Sequence, residues 1–153
     1  MTAPAGGPKA GGGATDEDQP KGWSSSRFEG PQASPGFRLW QQHQAWQRAL
    51  NAALAPLGLT QPQFSVLAVI AWLRREGAEV TQADVCAFAQ LERMAVSQLA
   101  RRLEGLGLVE RGASARDGRA VTLALTRRGR DELAAALPVV EAADEAFFAS
   151  DAT

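Results

Sequence analysis

The sequence predicts a mainly α-helical protein with a small β-hairpin. Over most of residues 37–147, apolar residues recur at intervals of three and four, which is the spacing of amphipathic helices. One short segment departs from it: from Val121 to Leu125, large apolar residues alternate with smaller or polar ones, as in a half-buried strand. The preceding Asp117-Gly118 pair is typical of a turn. Helices plus one hairpin define an α+β class with few strands.

The composition predicts one folded domain preceded by a tail. A chain of 153 residues suffices for one hydrophobic core. Residues 1–36 hold eight of the fifteen glycines and five of the eight prolines, so we expect a disordered tail there and a folded domain over 37–153. The first residues lack the apolar core of a signal peptide, and no apolar run is long enough for a membrane span. Because Cys86 is the only cysteine, we expect a cytoplasmic protein.

The first two predicted helices are delimited by local signals. An apolar stripe begins at Phe37 and ends before Gly58. Thr60 then begins the second helix, with Gln63 in the position that completes a capping box. Gly77 ends this helix.

A short third helix and a fourth helix follow with only a few residues between them. Thr81 is the start signal of the third helix, and an acidic residue lies in its first turn. Gly107 is a terminator for the fourth. Two helices joined so tightly form a helix-turn-helix. In the fourth helix, apolar residues spaced i, i+3, i+4 and i+7 form one buried stripe: Val96, Leu99, Ala100 and Leu103.

A hairpin and a long helix complete the domain. Residues 108–111 and 121–125 are predicted as the two strands, with residues 112–119 as their loop. Thr126 caps a fifth helix, in which Pro138 can produce a kink. This order of elements is that of a winged helix-turn-helix.

The formal net charge of −1 conceals an uneven distribution. Residues 92–130 contain nine arginines and four acidic residues, whereas the rest of the chain is acidic. A basic segment on a near-neutral chain is typical of a protein that binds a polyanion such as double-stranded DNA. The alternative is a solvated, arginine-rich face.

The exposed face of the fourth helix carries candidate DNA contacts. The second helix of a helix-turn-helix enters the major groove, where Gln98 can pair with adenine and Arg101 can bind guanine or phosphate. The alternative is an ordinary surface helix with long polar side chains. The predicted contacts of this recognition helix are Arg93, Met94, Ala95, Ser97, Gln98, Arg101 and Arg102.

The hairpin tip, which we call the wing, carries the second set of candidate contacts. A loop beside a groove-bound helix reaches the neighbouring minor groove, and Arg119 is the residue expected to enter it. We expect Asp117 to hold an arginine, Arg119 or another nearby, through a charge-assisted hydrogen bond. The alternative is a plain Asp-Gly turn with two solvated arginines. The predicted contacts of the wing are Arg111, Arg116, Asp117 and Arg119.

Three segments closely resemble the MarR (multiple antibiotic resistance regulator) family: GLTQPQFSVLAVI, TQADVCAFAQLERMAVSQLARRLEGLGLVER and SARDGRAVTLALTRRGR. The most specific pieces are the L-E-x-x-G-L-V-x-R run at residues 103–111 and the D-x-R wing at residues 117–119, which is followed by L-T-x-x-G at residues 125–129. The resemblance implies a homodimer joined by terminal helices, here 37–58 and 127–153, around a DNA-binding lobe at 60–126. It also implies a pseudo-palindromic operator, usually bound by a repressor, and in many members release by a small phenolic or other aromatic acid.

Two departures from the family limit what the resemblance implies. Members often have Ser or Thr near the start of the recognition helix, where this chain has Met94 and Ala95, so the base preference does not carry over. Many members continue into a further amphipathic helix, whereas this sequence ends at Thr153, so the first helix is expected to contribute more of the dimer interface.

The resemblance also implies that the first helix lines a ligand pocket. His43, Trp46, Gln47 and Trp72 are therefore candidates for binding an aromatic anion. The alternative places the tryptophans in the dimer core and His43 on the surface. Cys86 is interpreted as a buried structural residue, with a redox switch as the alternative.

No motif in the sequence points to catalysis or to a cofactor. P-loop, zinc-protease and G-x-S-x-G motifs are absent, and one His with one Cys makes a zinc site improbable. We therefore expect no enzyme activity, no cofactor and no metal. The prediction is a nucleoid-associated, DNA-binding transcription regulator; the alternative is a winged-helix protein-interaction module that does not bind DNA.

Overall fold

The computed structural model describes residues 23–150 and confirms the predicted fold class. Five helices and one two-stranded antiparallel sheet follow each other in the predicted order. The elements are α1 (Pro35–Leu54), α2 (Gln61–Arg74), α3 (Gln82–Ala89), α4 (Arg93–Gly105), β1 (Val109–Ala113), β2 (Val121–Leu125) and α5 (Arg127–Ser150).

The described part of the chain divides into two compact units, with the boundary between Gln41 and Gln42. Residues 1–22 of the predicted tail, and 151–153 of the predicted last helix, lie outside the described residues. Two short 3-10 helices, Trp23–Ser25 and Pro31–Ala33, lie in the described part of the predicted tail and precede α1, which begins two residues before Phe37. The indole N–H of Trp23 donates to the carbonyl of Glu29 at 3.2 Å.

The three threonines predicted as helix caps act as caps. Thr60 and Thr81 each form a complete capping box with the third residue of the helix that follows. At the start of α5, the hydroxyl of Thr126 accepts from the backbone N–H of Gly129 at 2.9 Å and donates to the carbonyl of Gly107 at 2.7 Å. Thr126 therefore also fixes the start of α5 against the end of α4. The helix continues through Pro138.

The core of residues 42–150 lies between α2, α4 and β2. Leu67, Ile70, Val96, Leu103 and Leu123 are fully buried there. The expectation that Cys86 is buried is wrong, because this residue is half-buried. In the eight-residue α3 only Val85 is buried, and Phe88 is 54% exposed.

The hairpin contacts the α2–α3 link, which immediately precedes the helix-turn-helix. Val109 pairs with Leu125 and Ala113 with Val121, so β1 ends two residues later than predicted and the loop spans only 114–120. The N–H of Leu123 donates to the carbonyl of Val80 at 2.8 Å, in the link between α2 and α3. Pairing to this link fixes the position of the wing relative to α3.

Within the described residues, no single helix is long and apolar enough to cross a membrane. Pro35–Leu57 and Gln61–Arg74 meet this criterion only when they are taken together as a bent pair.

Candidate nucleic-acid interface

Helix α4 has one buried face and one exposed face. Val96, Ala100 and Leu103 are buried, whereas Met94 is 69% exposed. The predicted recognition-helix residues divide accordingly: Arg93, Met94, Gln98, Arg101 and Arg102 are exposed, while Ala95 and Ser97 are half-buried. The side chains that can reach a groove are therefore mostly polar or cationic.

A three-residue turn sets the position of α4 relative to α3. Gln90 adopts a left-handed conformation with a φ of 54°, which is uncommon for a residue other than glycine. The N–H of Leu91 donates to the carbonyl of Cys86 at 3.1 Å and closes the end of α3. Helix α4 begins directly afterwards, at Arg93.

The base of the wing is held by a carboxylate that sequence reasoning missed. Glu79 Oε2 accepts from the hydroxyl of Ser114 at 2.6 Å, and Oε1 accepts from the N–H of Ala115 at 3.0 Å. The Ser114 Oγ in turn accepts from the N–H groups of Arg116 and Asp117, both at 3.2 Å. These bonds connect the α2–α3 link to the loop that presents the wing arginines.

The charge of Glu79 is stabilised by these contacts. The hydrogen bond from Ser114, followed by that from the Ala115 backbone, lowers the pKa of the Glu79 carboxyl below its ordinary value of 4.5. No sequence signal identifies this pair, because Glu79 and Ser114 are 35 residues apart.

The prediction that the Asp117 carboxylate binds an arginine side chain is wrong. Asp117 Oδ1 accepts from the backbone N–H of Arg119 at 3.0 Å, and the carbonyl of Asp117 accepts from the N–H of Ala120 at 2.9 Å. The short carboxylate reaches the N–H two residues ahead, as in an Asx turn, instead of a guanidinium group. Asp117 therefore shapes the turn, and the side chains of Arg116 and Arg119 are exposed.

Arg111 lies within β1 and not at the wing tip. It pairs with Leu123 in the register, and its guanidinium lies 3.5 Å from the carboxylate of Glu104 on α4. This contact places Arg111 at the junction of α4 and the hairpin. The structure thus separates it from the exposed arginines of the loop.

The four candidate ligand residues have different contacts in the structure. His43 is exposed and its ring lies 5.8 Å from that of Trp46, whose indole N–H donates to Asp144 Oδ1 at 2.7 Å. The side-chain amide of Gln47 donates to Gln61 Oε1 at 3.0 Å.

Trp72 has different surroundings. It is 54% exposed and lies under the guanidinium of Arg75, which is 3.9 Å from the ring centre. It lines an open, mainly apolar cavity of about 450 Å³ with Ala68, Ala71, Arg75, Leu133 and Leu137.

The hydrogen bonds of Glu79 with Ser114 and Ala115 lead to a prediction about how the stability of Glu79→Gln depends on pH. Because the pKa of Glu79 is lowered in the folded state, its ionised form contributes stability above the ordinary value of 4.5, and this contribution is lost as the pH falls through the lowered pKa. The variant should therefore be less stable than the wild type at pH 7, and the difference should shrink below pH 4.5. Urea unfolding of both proteins from acidic to neutral pH measures the difference in their free energies of unfolding. A difference that does not depend on pH would contradict a stabilising role of the ionised Glu79 carboxylate.

The chain is similar to known transcription regulators in sequence and in fold. A sequence model of the MarR family matches residues 57–120. YdcH, an HTH-type transcriptional regulator of Bacillus subtilis, is 45% identical over 125 residues, which cover 82% of this chain and 85% of the relative.

Solved structures show the same similarity in the fold. A mutant MarR from Escherichia coli in complex with operator DNA superposes with a TM-score of 0.65 at 27% identity, over 73% of this chain and 78% of that chain. The MarR family protein Rv2887 of Mycobacterium tuberculosis, in complex with p-aminosalicylic acid, superposes with a TM-score of 0.58 at 31% identity, over 77% and 86%. The matched family model, the extent of identity and the winged-helix fold together show that the chain belongs to the MarR family of transcriptional regulators.

Proposed function

We propose that the protein is a homodimeric, sequence-specific repressor that binds a pseudo-palindromic operator and releases it on binding an aromatic acid. The observation that carries this proposal is the juxtaposition of two cationic elements: Arg93 at the start of α4 and Arg119 of the wing line one cavity. A recognition helix and a wing side by side suit the major groove and the adjacent minor groove of one duplex. The relative that was solved with operator DNA supports it. As proposed, the protein has no catalytic role and acts at the nucleoid, in the cytoplasm.

The DNA contacts divide by element. In this proposal, Gln98 and Arg101 bind base edges in the major groove, while Arg93 and Arg102 contact phosphates. Arg119 enters the minor groove, and Arg116 contacts the backbone beside it. Asp117 and Arg111 support the wing and α4 without contacting DNA, since both are engaged within the protein.

Dimerisation is assigned to the two terminal helices, over residues 37–58 and 127–153, around the lobe at 60–126. Apolar side chains that a single chain leaves exposed support this assignment. On α5, Leu137 is 39% exposed and Phe148 is 52% exposed; on α1, Leu39 and Trp40 are 67% and 57% exposed. Burial of such residues in a second copy is the ordinary reason for their exposure in one chain.

The effector site is assigned to the cavity beside Trp72. Its wall is mainly apolar, and the Arg75 guanidinium over the Trp72 ring offers a cation to a carboxylate. This combination suits an aromatic acid, the class to which the p-aminosalicylic acid bound by the M. tuberculosis relative belongs. His43, Trp46 and Gln47 remain a second candidate location on α1.

A gel shift tests the proposal. The wild-type protein is titrated against the intergenic DNA upstream of its own gene at two salt concentrations, with and without p-aminosalicylic acid. The proposal predicts a shift that weakens steeply with salt, because arginines release counterions from phosphates, and that the acid reverses. No salt-sensitive shift would favour an interaction module that does not bind DNA.

Gln98→Ala should relax sequence discrimination at one position in each half-site. A bidentate glutamine–adenine pair contributes about 1–3 kcal/mol of discrimination against other bases. Affinity for unrelated DNA should change little, because Gln98 carries no charge. Binding to an operator and to its single-base variants measures this effect; equal loss on every sequence would contradict a base contact.

A further inference from the structure

We propose that one phosphate of the DNA backbone binds in the cavity between α3, α4 and the wing, and that Gln82 is a donor to it beside Arg93. This inference rests on the proposed function and adds a contact that neither the sequence motifs nor the family match assigns. The cavity has a volume of about 430 Å³ and its lining includes Gln82, Arg93, Asp117 and Arg119. Three separate elements thus contribute polar groups to it.

The charge of the cavity favours an anion. Two guanidinium groups line it against one carboxylate, that of Asp117. This carboxylate is already engaged by the backbone N–H of Arg119 at 3.0 Å. The other nearby carboxylate, Asp84, accepts from the backbone N–H of Thr81 at 2.9 Å in the cap of α3. The guanidinium group of Arg93 therefore remains available to the phosphate, and that of Arg119 to the adjacent minor groove.

Gln82 provides an independent indication of a ligand. Its side-chain nitrogen Nε2 is buried and has no hydrogen-bond partner within residues 23–150. A buried donor without a partner destabilises a fold, so such a group needs an explanation. The side-chain amide of Gln82 forms no hydrogen bond within the described residues. A rotation of this side chain can therefore turn the amide into the cavity that Gln82 lines. An incoming oxyanion would provide the missing acceptor.

The position of the cavity identifies the anion. A recognition helix in the major groove and a wing in the adjacent minor groove are separated by one strand of the DNA backbone. The cavity lies between these two elements and so faces that strand. A phosphodiester satisfies its donors without contacting a base.

The test compares Gln82→Met, which keeps the length but removes both polar atoms, with Gln82→Glu, which adds a negative charge. Affinity for an operator duplex and for an unrelated duplex is measured by fluorescence anisotropy over a range of salt concentrations, and thermal unfolding is recorded for each variant. Gln32→Met, at an exposed glutamine of the N-terminal segment, is the matched control.

Gln82→Met should weaken the binding of both duplexes by the same factor, about 100-fold or more for a dimer that loses two charge-assisted bonds. The dependence on salt should not change, because a neutral donor releases no counterion. The melting temperature should be equal to or higher than that of the wild type, since an unsatisfied buried group has been removed. Gln82→Glu should bind more weakly still, and Gln32→Met should bind like the wild type.

Several results would overturn the inference. These are wild-type affinity in Gln82→Met, a loss confined to the operator, or a loss that accompanies a lower melting temperature. Inorganic phosphate provides a further comparison. If it raises the melting temperature of the wild type but not of Gln82→Met, and the two proteins bind DNA with equal affinity, the cavity binds free phosphate and not the DNA backbone. If the wild type binds neither duplex, the proposed function fails as well; if it binds and Gln82→Met binds equally, only the inference fails.

Discussion

Replacing Arg119 by alanine should weaken the binding of every duplex about 100-fold. In a dimer, the substitution removes two cationic contacts with DNA. Each neutralised phosphate contributes about 0.9 to the slope of log affinity against log salt, so the slope should fall by about 2. The wing itself should keep its shape, because Asp117 binds the backbone N–H of residue 119 and not its side chain. Fluorescence anisotropy at several salt concentrations measures both quantities.

Arg27→Ala is the matched control for this experiment. Arg27 is exposed in the N-terminal segment, outside the segments assigned to dimerisation and outside the DNA-binding lobe. Its loss removes the same charge from the chain, and the salt slope should remain that of the wild type. An Arg119→Ala protein with an unchanged slope, or one that loses affinity for a single sequence only, would contradict a backbone or minor-groove role.

Gly129→Ala should destabilise the fold by about 3 kcal/mol or more. A Cβ at residue 129 would clash with the carbonyl oxygen of Leu108 and would lie 2.9 Å from its carbonyl carbon. Both are backbone atoms in the link between α4 and β1, and the same oxygen accepts from the N–H of Thr126 at 3.0 Å. Relief of the clash therefore requires α5 to move away from the hairpin and breaks this contact.

Gly118→Ala is the control for the glycine substitution. Nothing lies within 4 Å of a Cβ at this wing position, and its φ is not positive. Its effect should stay within about 0.5 kcal/mol. Urea unfolding of both variants measures the difference, and equal midpoints would contradict the close packing of α5 on the α4–β1 link.

The features that the sequence predicts well are those that a few neighbouring residues determine. Caps at Thr60, Thr81 and Thr126 depend on a side chain and an N–H three residues ahead, and all three are confirmed. The buried stripe of α4 and the alternation of β2 depend on periodicity alone. The L-T-x-x-G motif at residues 125–129 can also be recognised in the sequence. The need for glycine at its last position, which results from the close approach of the Leu108 backbone to Gly129, is seen only in the structure.

The features that the sequence missed depend on contacts between distant segments. The Glu79–Ser114 bond joins residues 35 positions apart, and no local pattern predicts it. Asp117 was interpreted from its charge, whereas its short side chain bonds the nearest backbone N–H. The aromatic residues of α1 and α2 were grouped by type, although Trp46 bonds Asp144 and Trp72 stacks with Arg75.

Footprinting by hydroxyl radicals tests the central claim most directly, on a duplex selected by the protein from a random DNA pool. The account predicts two protected half-sites, with centres about 10 base pairs apart or a multiple of it, because a two-fold dimer places two copies of α4 in successive major grooves. Protection should include minor-groove positions next to each half-site, where Arg119 enters, and should disappear as the salt concentration rises. A protein that remains monomeric at micromolar concentration and protects no duplex at low salt would contradict it.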